Sequence, residues 1–240
     1  MRKYIRQFRH YWVEDVSFVT LLFMLGFTIF VLPTLLEIEL DGLFLINAML
    51  IAIYFTGIWS ARTKTLVVLS SVFFALILFL KLYRFSVKEV GTELMLAEQI
   101  ASSLNVAVYI FINFRLLFRD DRFNFHRVIG AINVYLLIAL LGALLFEQIH
   151  LIFGSSIKGD VTLRGTDIDF VDYIYFSLSS LTTVGYGEIT AANAAAKMLA
   201  VFLSTVGILY PAVVIARLVS IQKLNSTNTR HHQEPTDREV

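Results

Sequence analysis

Between two long apolar stretches the chain carries Thr182-Thr183-Val184-Gly185-Tyr186-Gly187-Glu188. The chemistry open to these residue types is coordination by main-chain oxygen. A cation leaving water must be offered oxygens that replace its hydration shell. A run of carbonyls facing one axis can offer them only if alternate residues take unusual dihedrals, and glycine reaches positive φ without penalty. Gly185 and Gly187 stand where such a ladder needs them. Val184 and Tyr186 would then point away from the axis and brace it from behind, and Thr183 would add a hydroxyl at the inner end.

The elements that must position this segment are membrane helices. Of the 240 residues, 57% are hydrophobic and 16% charged, with a mean hydropathy of +0.72, which is too apolar for a soluble chain of this length. Crossing a hydrocarbon core takes about 20 apolar residues. Six segments qualify: Val16 to Leu36, Leu43 to Trp59, Leu66 to Leu82, Ala97 to Phe118, Val128 to Phe153 and Ala196 to Ile221. Phe170 to Thr182 is too short to cross and reads as a re-entrant helix, tolerated at membrane depth where protein buries it. The fold class expected is therefore an all-α membrane protein with six transmembrane helices, a re-entrant helix and a loop that lines water.

Thr182 to Gly187 resembles the signature of the tetrameric potassium channel family. The likeness runs from about Phe125 to Lys223. Asp172-Tyr173-Ile174-Tyr175-Phe176-Ser177 resembles the family's pore helix, and Gly207 falls at the family's hinge spacing from the filter. The resemblance implies a homotetramer, each chain pairing with three further copies of itself. Carbonyl rings from Thr183, Val184, Gly185 and Tyr186 would bind K+, with Gly187 completing the filter and ions moving by knock-on, the arrangement established for potassium channels. K+ is then the permeant ion, and no cofactor is expected. A single filter per chain requires several chains to close a ring.

Around the filter, Asp169 and Asp172 fall at the start of the pore helix, where carboxylates can accept from free amides and complement the helix dipole. With Asp160, Asp167 and Glu188 they could also concentrate cations at the outer mouth. Glu188 stands where the family more often has aspartate, and Ser179 where it has glutamate or valine. Tyr175 aligns with a tryptophan of many relatives and could donate its hydroxyl to Glu188. Thr182 adjoins the filter. Glu147 resembles a family glutamate that hydrogen-bonds backbone behind the filter; an interfacial carboxylate is the competing account.

On the last span Pro211 has no amide hydrogen and leaves the carbonyl of Gly207 without its helical partner. Gly207 to Pro211 is read as a bend and a candidate hinge, a static kink being the alternative. Ile208, Pro211, Ile215 and Val219 share one face at helical spacing. If that face lines the pathway, Ile215 and Val219 could close a hydrophobic gate; otherwise the stripe packs against lipid or the fifth helix.

Basic residues orient the chain. Arg2, Lys3, Arg6 and Arg9 precede the first span, Arg62 and Lys64 follow the second, and Arg115, Arg119, Arg122 and Arg127 cluster from the end of the fourth to the start of the fifth. These loops and both termini are expected to be cytoplasmic, in a cell (inner) membrane. Glu37, Glu39, Asp41 and the Tyr186 end of the filter fall outside. Lys81, Arg84 and Lys88 also fall outside, against the trend.

Residues 1–15 suggest an interfacial helix, 16–120 a four-helix domain in the place of a voltage sensor, 121–223 a pore domain and 224–240 a short polar tail. Steep voltage sensing uses about three to four arginines per subunit. Stepping back from Arg115 in threes gives Ile112, Tyr109 and Val106, so weak or absent voltage gating is expected. Arg115, Arg119 and Arg122 could bind anionic lipid or serve only as topology anchors. The net charge of +1 gives no reason to expect a nucleic-acid partner. No enzyme is expected: Glu188 lacks the paired aspartate an intramembrane protease needs. A silent or modulatory channel subunit and a potassium transporter subunit remain the competing functions.

Overall fold

In the computed structural model, residues 17–36, 42–60, 64–86, 91–119, 125–163 and 167–231 are described. The N-terminal segment 1–15, Glu37, Glu39, Asp41, Arg62, Lys88, Arg122 and the end of the tail lie outside them.

The chain opens with α1 (Ser17–Gly26), a π turn (Phe27–Val31) and α2 (Leu32–Leu36), which together form one apolar span. The π turn has a local cause. Pro33 has no amide to offer the carbonyl four residues back, so the ladder is interrupted there in any case. The Leu32 amide reaches back five residues to the Phe27 carbonyl.

Next come α3 (Gly42–Ser60), α4 (Lys64–Ser86), α5 (Thr92–Arg119) and α6 (Phe125–Phe153). A short strand β1 (Ile157–Gly159) leads to a 3-10 turn (Asp167–Asp169), the helix α7 (Phe170–Leu181), strand β2 (Ile189–Ala191) and the long helix α8 (Ala194–His231). Five helices are long and apolar enough to cross a membrane among the described residues, and α3 contributes a shorter apolar stretch, Phe44–Gly57. At 12 residues α7 is too short to cross, as expected of a re-entrant helix. The two strands pair antiparallel, Ile157 with Ala191 and Gly159 with Ile189, a ribbon that the apolar periodicity did not announce.

One hydrophobic core runs through both halves of the chain. The helix α6 is its axis and packs against α1, α5, α7 and α8. Leu137, Leu140 and Phe146 of α6 are fully buried, and the Phe146 and Phe176 rings meet at 4.8 Å between centroids. On α4, Val72, Phe79 and Leu82 are exposed, as the side chains of a lipid-facing helix are in the absence of water.

Two glycines let neighbouring helices come close to α7. A Cβ on Gly142 would lie 2.3 Å from the Ser177 hydroxyl, and one on Gly207 would lie 1.7 Å from the Leu181 carbonyl oxygen. Small residues of this kind permit close helix approach in membranes. They bring α6 and α8 against the C-terminal half of α7.

Candidate functional site

The segment after α7 has the backbone its glycines imply. Thr183, Gly185 and Gly187 take φ of 60°, 55° and 98°, so every second residue is left-handed. Thr183 is the only non-glycine with positive φ among the described residues. That conformation costs an L-residue free energy which its surroundings must offset, and nothing in its side chain forecasts it. Val184 and Tyr186 are exposed on the single chain, at 51% and 76%.

The end of α7 holds this segment by its own carbonyls. Thr182 donates both its amide, at 2.8 Å, and its hydroxyl, at 2.7 Å, to Leu178 O. The Thr183 amide reaches Ser180 O at 3.1 Å and the Val184 amide reaches Ser179 O at 3.0 Å. The Gly185 amide donates to the Ser179 hydroxyl at 3.2 Å. The last carbonyls of a helix otherwise lack partners; here the loop itself supplies them.

The neighbouring helices complete the cradle through residues that sequence reasoning missed. Ser204 of α8 donates to Ser180 O at 2.8 Å, Tyr135 of α6 to Leu181 O at 3.4 Å, and Ser177 to Ala139 O of α6 at 2.7 Å. A serine in an apolar span must find an acceptor, which is the signal that could have found Ser204.

Tyr175 donates its hydroxyl to Glu188 Oε1 at the other end of the loop. That bond, ahead of burial, pushes the Tyr175 hydroxyl up to about 12. Glu188 O also accepts from the Asp160 amide at 3.0 Å, tying the loop to the β1–β2 ribbon. Asn193 caps α8: its Oδ1 accepts from the Ala196 amide at 2.8 Å.

Of three carboxylates expected to support the filter, Asp172 stands in the first turn of α7 as expected, and Asp169 does not cap it. Asp169 precedes α7 in a helical conformation and makes no side-chain capping bond, because the 3-10 turn already winds the chain ahead of it. Asp172 sits in the first turn, half-buried, and burial, helped by the Asp169 charge, raises its carboxyl above the usual range. Glu147 forms no backbone hydrogen bond among the described residues; it lines a small cavity with Arg84, Gln99, His150, Asp167 and Tyr173.

On α8 the helix continues unbroken through Pro211. Gly207 is buried against Leu181, so close packing is a sufficient reason for a glycine there. Ile208, Ile215 and Val219 are exposed on the single chain at about 60% each. They do not pack on α6, which instead meets Val214 and Tyr210, the latter donating to Ala131 O at 2.9 Å.

A second polar group lies where α3, α4 and α5 meet the start of α7. Lys81 Nζ is 2.5 Å from Glu98 Oε1, and Arg84 Nε is 3.4 Å from Glu98 Oε2. Arg84 also donates from both terminal nitrogens to Asp167, one at 2.8 Å. Asn47 donates to Asp167 at 2.6 Å and accepts from Lys81. Burial alone would raise the Asp167 carboxyl, but Arg84, with Asn47 and Lys81, holds it below the usual carboxylate range. Lys81 and Arg84, which run against the charge trend of the loops, are thus neutralised inside the protein. The signal was available: Glu98 is a carboxylate at the edge of an apolar span, where an unpaired charge is costly.

Residues 136–222 match the family model described as ion channel. These residues form an ion channel domain. The match takes in most of α6, the whole of α7, the loop after it and α8 as far as Gln222. With five apolar helices of spanning length, the chain is a membrane protein whose channel domain lies in its second half. No curated protein and no solved structure matches the chain.

Proposed function

We propose that the protein is the subunit of a potassium-selective channel, in which four copies of the loop Thr182–Gly187 surround one axis. K+ passes down its gradient on carbonyls of Thr183, Val184, Gly185 and Tyr186. The observation that carries this reading is the alternation of left-handed residues at 183, 185 and 187. Such an alternation turns successive carbonyls toward one side, which a dehydrated cation needs. Tyr175 and Glu188 clamp the outer end, and Ser179 steadies the Gly185 amide.

Weak voltage dependence belongs to the same reading. The buried face of α5 carries Glu98, Ser102, Asn105 and Asn113 rather than arginine. The cations buried nearby, Lys81 and Arg84, are held by carboxylates. A conductance curve nearly flat across about 100 mV is expected, because few charges are free to cross the field. A steep curve would remove this part of the proposal. Arg115 is exposed near the end of α5 and would meet anionic lipid, as the basic sequence there suggests for Arg119 and Arg122 as well.

Purified protein in liposomes tests the whole. Potassium flux well above sodium flux, blocked by barium, is expected. Equal passage of the two ions would reject a potassium filter, and flux too slow for a pore would favour a transporter subunit.

A further inference from the structure

The cluster around Asp167 has a geometry that stability alone does not require. Burying two cations and two carboxylates costs desolvation that apolar side chains of similar size would avoid. What the charges add is fixed orientation, since a two-pronged guanidinium–carboxylate pair sets both distance and angle. Asp167 begins the 3-10 turn that runs directly into α7. The far end of α7 is bonded to the amides of Thr182, Thr183, Val184 and Gly185. A rigid helix of about 18 Å therefore joins the cluster to the filter.

We infer that Asp167 is a positioning residue for the filter: held by Arg84 and Asn47, it fastens the start of the pore helix to the peripheral helices α3, α4 and α5. A displacement of those helices is passed to the filter along α7. This rests on the proposed filter and assigns the peripheral helices a role in it without any arginine array. The pair has room for water beside it. The cavity beside Arg84 and Asp167 offers about 20 Å³ to the centre of a water molecule, against the roughly 10–15 Å³ one water needs. Water there can take over the hydrogen bonds of the pair when it opens.

The test is a double-mutant cycle on the full-length protein: Arg84→Gln, Asp167→Asn and both together. Reconstituted currents report the filter, and hydrogen exchange of residues 170–181 in the purified assembly reports the pore helix. Each single change is expected to speed current decline by about threefold or more, an effect that raised external potassium reduces. The double variant is expected to be no worse than either single, and all three to exchange faster over 170–181. Unchanged decline with wild-type current present, additive effects, or unchanged exchange would overturn the inference. Absence of potassium current from the wild-type protein would instead sink the filter reading, and the exchange arm would still decide whether Asp167 fastens the helix. If a charge variant fails to assemble, Asn47→Ala removes one bond to Asp167 and keeps all four charges; faster exchange supports the fastening, and no change rejects it.

Discussion

Tyr175 and Glu188 meet at the outer end of the loop with no other side chain in the bond. A hydroxyl pushed up to about 12 by that bond stays protonated, and so remains a donor, throughout the pH range of any cell. Tyr175→Phe keeps the ring and deletes the donor. Faster current decline is expected, by about two- to fivefold for a bond that solvent can reach. Currents indistinguishable from wild type would mean that the β1–β2 ribbon holds Glu188 unaided. Gly207 supplies the opposite kind of residue-scale test, because there an atom is added. A methyl group at 207 must move either the Leu181 carbonyl or α8. Gly207→Ala should therefore lower stability in detergent by about 1–3 kcal/mol, as overpacking does, while Gly26→Ala, with nothing within 4 Å of the new atom, should not. A hinge without close packing would tolerate Gly207→Ala in the melting temperature and lose only gating.

At the scale of elements, most of the helices were legible because membrane solvent makes length and apolarity nearly sufficient. Residues 170–181 could be told from a span by length, and the left-handed positions at Gly185 and Gly187 by residue type. Contacts between elements were less legible. Gly142 looks like any glycine of an apolar helix until Ser177 is brought against it. Asp167 reads as one of several outer-mouth carboxylates until α4 delivers Arg84 to it, 83 residues away in sequence. The ribbon of β1 and β2 depends on backbone partners of Glu188 and Ser156, which have no signature in composition. The Asp167 junction makes a prediction of its own. A carboxyl held below its unfolded value contributes stability that is present above the unfolded pKa and is lost as pH falls through the folded one. The difference in melting temperature between wild type and Asp167→Asn should be constant from neutral pH down to about 5, then shrink below about 4. A difference that shrinks already between pH 7 and 5 would place the dominant titration on another group.

For the molecule as a whole, α8 has two faces with different fates. Val214 and Tyr210 turn to α6, whereas Ile208, Ile215 and Val219 are left about 60% exposed by the described elements of the same chain. In a ring of chains that stripe must meet the pathway, a neighbouring copy or lipid. The first placement gives the channel a gate below the filter, where apolar rings exclude water once they draw close. Ile215 decides between them, because it lies two turns beyond Ile208 and one before Val219 on a helix that does not break at Pro211. Asparagine at 215 brings hydrogen-bonding groups to the narrowest ring and keeps it wet when closed, so Ile215→Asn should raise resting potassium flux into liposomes by about tenfold, the effect of removing roughly 1.4 kcal/mol from closure. The same substitution at Val214, on the face that meets α6, should impair assembly instead of opening the pore. If Ile215→Asn leaves resting flux unchanged while assembly is normal, the stripe faces lipid and the channel closes at the filter, where the Asp167 fastening and the Tyr175 clamp already converge.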